Sequence, residues 1–258
     1  MSGHSKWANI KRKKSKVDDA RGKIFTKISK EILVAVKQGG PDPEGNFRLK
    51  LCVQKAKDNN MPGDNIARCI QKAAGVGNTE AYEEFFYEGY GAGGVAVLCA
   101  ILTDNRNRTA SEIRYIFSRN HGNLGETGCV SWMFERRGQI TVALEGKDEE
   151  ELMLFTIDAG ADDFTADTLF NEDEEEEPIA EIVCSPDLLE KIRTALEGSG
   201  YKVTEAEITM LPSNTVDVND KTQAAQLLTL IEALEDNDDV QAVYANYDIP
   251  DHIMESLE

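Results

Sequence analysis

Residues 139–210 read QITVALEGKDEEELMLFTIDAGADDFTADTLFNEDEEEEPIAEIVCSPDLLEKIRTALEGSGYKVTEAEITM, and their hydrophobic rhythm decides the fold. Gln139–Leu144 alternates as a strand, Asp148–Ala159 has the spacing of a helix, and Asp162–Leu169 alternates again. Pro178–Cys184 predicts a strand, Pro186–Gly198 a helix and Tyr201–Met210 a strand. The order is βαββαβ, the split-βαβ, ferredoxin-like arrangement. Between its middle strands, Asn171–Glu177 carries six acids in seven residues. That run has neither the ligand spacing nor the glycine of an EF-hand calcium loop, so it predicts a solvated connection.

Outward from this block the pattern is incomplete. Residues 79–138 supply only ββαβ. Glu83–Tyr90 and Gly94–Thr103 are strands around Gly91–Gly94, a helix covers about Thr109–Asn120, and Cys129–Phe134 is the next expected strand. The missing helix and strand appear at the other end, as Thr222–Glu235 and Val240–Asn246. The 139–212 domain, with its acidic loop 171–177, is therefore expected to be inserted into a discontinuous α+β domain made of 78–138 plus 213–250. Both are expected to be ferredoxin-like.

Residues 1–77 have a different character. Ile24, Phe25, Ile28, Ile32, Leu33 and Val36 recur at spacings of three and four after the acidic start Asp18–Asp19, and Gly39–Gly40–Pro41 stops the helix. A second helix runs from about Asn46 to Asn60, with Phe47, Leu51, Cys52 and Ala56 as core candidates. Asp64 or Asn65 is expected to cap a third, whose inner face is Ile66, Cys69, Ile70 and Ala73. The fold class is a multidomain α+β protein: a three-helix domain followed by two ferredoxin-like α+β domains, one inserted in the other.

Charge divides the chain at the same place. Residues 1–76 hold 17 Lys+Arg against 7 Asp+Glu, a net of +10, while the remainder holds 11 against 40, a net of −29. A basic head attracts phosphate polyanions and an acidic body repels them, which predicts nucleic acid bound head-first. No apolar run approaches the roughly 20 residues of a membrane helix, and no signal-peptide core is present, so a cytoplasmic protein without a membrane partner is expected. The five cysteines form no CxxC and the three histidines lie far apart, which argues for buried thiols and against zinc. Gly89–Gly94 is followed by a strand and not a helix, so it predicts a hairpin turn and not a nucleotide loop. No local nucleophile signature or cofactor motif appears, and the chain is expected to be no enzyme, with no cofactor, metal or small-molecule substrate.

The candidate contacts follow from charge. Lys6, Lys11, Arg12, Lys13, Lys14 and Lys16 form a basic arm suited to phosphate, and Trp7 beside them is suited to stacking on a base. Arg21, Lys23, Lys27 and Lys30 extend the basic face along the first helix. Arg106 and Arg108, in the loop TDNRNRTASEIR at 103–114, are a second contact in an otherwise acidic body. The competing reading of that loop is a helix-capping turn, with Asn107 or Thr109 as the cap and the arginines paired to body carboxylates. Phosphate contacts discriminate little between sequences, and no helix carries Arg, Asn and Gln spaced to read bases. DNA, RNA and the ribosome thus stay open as partners, and a third reading is a scaffold whose acidic body recruits a basic protein.

Four blocks resemble the YebC family of probable transcriptional regulatory proteins. They are GHSKWANIKRKKSKVDDARGKIFTKISKEI at 3–32, YEGYGAGGVA at 87–96, LTDNRNRT at 102–109 and GNLGETGCVSWMF at 122–134. The resemblance implies a cytoplasmic, non-enzymatic protein of one helical and two α+β domains. It implies DNA-binding regulation of transcription, or, as for related mitochondrial members, translational activation with ribosome association.

Overall fold

A computed structural model describes residues 18–75, 81–170 and 176–257. Three helices open it: α1 at Asp18–Gly39, α2 at Phe47–Asp58 and α3 at Gly63–Ala74. Ile28, Ile32, Ala35 and Val36 of α1 bury themselves against Leu49, Cys52 and Ala56 of α2 and Ile66 and Ala73 of α3, with Phe25, Cys69 and Ile70 packed at the margin. Three expected core residues lie outside the buried cluster, and Leu51 is one of them, only half-buried beside Cys52. Phe47 is 43% exposed because the buried stripe of α2 runs through 49, 52 and 56, and position 47 falls off it. Ile24, 39% exposed, precedes the first fully buried turn of α1.

The chain reverses between α1 and α2 around one side chain. Gly40 adopts φ +86°, which an L side chain resists, and its N–H reaches the Val36 carbonyl at 2.8 Å. Asn46 then caps α2 by accepting the Leu49 N–H at 3.1 Å, while its amide donates to the carbonyls of Ala35 at 2.7 Å and Gly40 at 2.8 Å. The cap expected at Asp64 or Asn65 is absent: α3 starts at Gly63 behind Pro62, whose carbonyl receives the N–H groups of Asn65 and Ile66, and Asp64 lies inside the first turn.

Strands β1 (Glu83–Tyr90) and β2 (Ala96–Thr103), helix α4 (Arg106–Arg119) and strand β3 (Asn123–Leu124) follow. Next come β4 (Phe134–Ala143), α5 (Glu149–Ala159), β5 (Asp163–Phe170), β6 (Glu176–Cys184), α6 (Leu189–Gly198) and β7 (Lys202–Pro212). The chain ends with β8 (Val216–Asp217), α7 (Lys221–Glu235), β9 (Val240–Ala245), β10 (Tyr247–Asp248) and α8 (Asp251–Glu255). It divides into two compact units.

Residues 135–211 form one of them. Their sheet has the order β5-β6-β4-β7, which is the split-βαβ arrangement with β6 between β4 and β5. Ile140 and Val142 stand opposite Ile182 and Ala180 on one face, buried with Leu152 and Thr156 of α5 and Leu189, Ile192 and Leu196 of α6. Strand β4 runs unbroken through 138 and 139, and most of the acidic loop, 171–175, lies outside the described residues.

The other unit joins 18–134 to 212–258, so the three helices belong with the discontinuous α+β region. Its main sheet has the order β3-β1-β2-β9. The apolar run Val95–Leu102 is accordingly an almost wholly buried inner strand. The turn at Gly91–Gly94 is a hairpin as expected, with Gly93 and Gly94 at φ +74° and +77°. One expectation fails here. Cys129–Met133 is not a strand, and β4 begins only at Phe134; β3 supplies the short fourth strand, and 131–133 is a single 3-10 turn. The reason is Glu88 of β1, whose buried carboxylate accepts the N–H groups of Gly128 (2.7 Å), Val130 (2.8 Å) and Ser131 (2.8 Å), donors that a strand would have given to a neighbour.

Candidate nucleic-acid interface

The structure places the expected contacts unequally. Lys6, Trp7, Lys11, Arg12, Lys13, Lys14 and Lys16 lie outside the described residues, and Arg21 is placed only as a position on α1. Lys23, Lys27 and Lys30 are described, and their spacing of four and three puts them on one face of α1. That face meets the C-terminal end of α7 and the turn after it. Lys23 pairs with Asp236, Lys27 donates to the Glu235 carbonyl at 2.5 Å, and Lys30 donates to the Asp238 carbonyl at 2.8 Å. Helix C-termini expose unsatisfied carbonyls and the negative end of the dipole, so three ammonium groups are favourable there.

Asp239 is the centre of this contact. It is 3% exposed, and its carboxylate accepts from Lys30 Nζ at 2.9 Å, Arg108 Nη2 at 2.7 Å, and the Thr109 and Thr103 hydroxyls at 2.8 and 3.1 Å. Burial alone would raise its pKa, but the bonds from Arg108, Lys30 and Thr109 outweigh burial and hold the carboxyl down to about 2. Arg108 also donates to Asp104 at 2.9 Å, and its carboxylate partners raise the guanidinium pKa. A cleft of about 440 Å³ opens beside the contact, lined by Lys23, Lys30, Asp104, Arg108, Glu112 and Asp236 among others.

The arginine loop therefore follows the capping-turn reading, with a different cap. Asn105, not Asn107 or Thr109, accepts the Arg108 N–H at 3.1 Å, and Thr109 is buried on Asp239. Arg106 points elsewhere. It sits over the Phe85 ring at 4.3 Å and pairs with Glu83 at 3.3 Å while its side chain stays 60% exposed. A further tie, Arg48 to Glu84, links α2 to β1, with Gln38 accepting from the same guanidinium at 2.7 Å.

Lys23, Lys27, Lys30 and Arg108 thus share one cluster, but they are bonded to this chain's own acids and carbonyls in place of an open phosphate-facing surface. Sequence reasoning missed Asp239. Its only signal was the acidic turn LEDNDDVQAV at 234–243, and nothing local marks which of those acids is buried. Glu88 was missed for the same reason. No described helix is long and apolar enough to cross a membrane.

Comparison with known proteins covers nearly the whole chain. Residues 5–76 match a family model described as the TACO1/YebC protein N-terminal domain, and 82–247 match one described as the TACO1/YebC second and third domain. A probable transcriptional regulatory protein of Natranaerobius thermophilus is 56% identical over 99% of this chain and 100% of its own length. One of Moorella thermoacetica, named alike, is 55% identical over 100% of both. The crystal structure of a conserved hypothetical protein from Aquifex aeolicus superposes with a TM-score of 0.83 at 46% identity, covering 96% of this chain and 98% of that one.

Proposed function

The chain belongs to the TACO1/YebC family, and from that premise we propose that it is a non-enzymatic, cytoplasmic nucleic-acid-binding regulator, acting on transcription through DNA. The observation that carries the reading is the charge division. Six of the 17 head cations lie in residues 1–17, which contain no acid, whereas the body is strongly acidic. The names of the relatives, probable transcriptional regulatory proteins, supply the regulatory half of the reading.

In this proposal Lys6, Lys11, Arg12, Lys13, Lys14 and Lys16 contact phosphate, Trp7 stacks, and Arg21 continues the path onto α1. The domains are those read from the sequence: 1–77, 78–138 plus 213–250, and 139–212. Arg106 keeps the role of a secondary contact in this proposal, because its side chain is 60% exposed and its ion pair is with the equally exposed Glu83, whereas Arg108 and Lys30 are bonded to the buried Asp239. Contacts of this kind grip a backbone and read little sequence, so RNA, including ribosomal RNA, is the rival polyanion.

The deciding experiment compares binding of the full chain to duplex DNA and to ribosomes at physiological salt. Tight duplex binding supports the transcription reading; ribosome association with only weak, salt-labile duplex binding replaces it by the translational one. Replacing Lys11, Arg12, Lys13 and Lys14 by Ala lowers affinity for either polyanion and reduces the slope of log K against log salt by up to about 3.6 for duplex DNA. An unchanged slope removes the arm as the contact.

A further inference from the structure

Helix α5 has an unusual outer face. Its inner residues Leu152 and Thr156 are buried, as a surface helix requires. On the side away from them Met153, Leu154 and Ile157 are 36%, 62% and 54% exposed. The positions are i, i+1 and i+4, so the three side chains form one patch. A helix that is apolar on both sides is normally buried on both. Glu150, Glu151 and Asp158 stand exposed around the patch.

Charge selects the occupant. Residues 135–211 contain 22 Asp+Glu against 6 Lys+Arg, a net of −16. Two copies of so acidic a surface repel, and a nucleic acid is repelled more strongly. The patch suits a segment that is cationic and carries a few apolar side chains. Residues 1–17 of this chain have six Lys/Arg and no acid, with Trp7 and Ile10 spaced by three. Seventeen residues span up to about 60 Å when extended, roughly twice the diameter of a domain of this size. A tethered segment also acts at an effective concentration in the millimolar range.

We propose that residues 1–17 dock on the Met153/Leu154/Ile157 face of α5, with Trp7 and Ile10 on the apolar patch and the Lys11–Lys14 run against the surrounding carboxylates. The acidic unit then competes with nucleic acid for the arm. This consequence rests on the nucleic-acid reading above; the docking itself does not. Binding of a polyanion requires release of the arm, so docking lowers apparent affinity by the fraction of arm that is free.

The test uses the full chain with Trp132→Phe, which leaves Trp7 as its one tryptophan. Acrylamide quenching of Trp7 at low salt is compared with that in the same protein carrying Leu154→Ser and Ile157→Ser. Both changes are at exposed positions and neutral in charge. The expected result is a quenching constant at least twofold lower in the parent, independent of protein concentration and rising with salt, together with about threefold tighter duplex binding by the double-serine protein. Equal quenching in the two proteins overturns the proposal. So does protection that appears only as concentration rises, which assigns the face to a second copy. Protection lost in the double-serine protein, with no polyanion bound by either, upholds docking and sinks the nucleic-acid function.

Discussion

Two carboxylates, Asp239 and Glu88, are buried among the described residues, and each is held by several hydrogen bonds. Asp239 has its pKa lowered from 3.8 to about 2 because the bonds from Arg108, Lys30 and Thr109 outweigh burial. A depressed folded pKa means stability that is full above the unfolded value and lost as pH falls. Asp239 therefore contributes about 2 kcal/mol that disappears between roughly pH 4 and pH 2. Asp239→Asn is expected to cost about 2–3 kcal/mol by urea unfolding at neutral pH, and to remove that part of the acid-stability slope. The lower end applies because Arg108 is 45% exposed and regains water when its partner goes. At Glu88 burial would also raise the pKa, but three backbone N–H groups win and lower it. Glu88→Gln puts an amide NH₂ where those donors converge, and about 2 kcal/mol is the expected loss by the same measurement. Neither residue was legible beforehand. An acid in a strand or turn is usually solvated, and only the chain brought against it shows otherwise.

Elements were easier to read than their contacts. The helices and most strands follow periodicity, so α1, α5, α6 and both hairpins emerged within a few residues of their observed ends. The segment 129–134 failed because Val130, Trp132 and Phe134 alternate like a strand, while Glu88 of β1 takes the backbone N–H groups of Gly128, Val130 and Ser131. Local pattern carries no information about a distant acceptor. Asn46 shows the reverse case, a cap legible as a helix boundary whose further role is tertiary. Asn46→Ala removes the α2 cap and the amide bonds to the Ala35 and Gly40 carbonyls together. The expected cost is about 2–3 kcal/mol, checked by urea unfolding, with faster amide exchange in the first turn of α2. Gly89 makes a similar point for packing. A Cβ there would lie 2.6 Å from a ring carbon of Phe117, so Gly89→Ala is expected to push α4 off β1 and cost at least about 2 kcal/mol by the same assay.

At the scale of the whole molecule the charge division makes the proposed function testable. If polyanions bind head-first, hydrogen exchange with and without a bound duplex should show protection concentrated in the first 30 residues and none across 135–211. Equal protection of both would contradict the orientation, since a unit of net charge −16 should stay clear of phosphate. Residue type and spacing along the chain sufficed for the α+β class and the βαββαβ block, and they predict the head-first orientation and the role of the basic arm. Only the tertiary structure decided how the basic residues are used. Lys23, Lys27, Lys30 and Arg108 share the arm's charge but meet the end of α7 and Asp239, more than 120 residues away in sequence. Charge makes a residue able to bind phosphate, whereas folding determines whether a carboxylate or carbonyl of the same chain reaches it first.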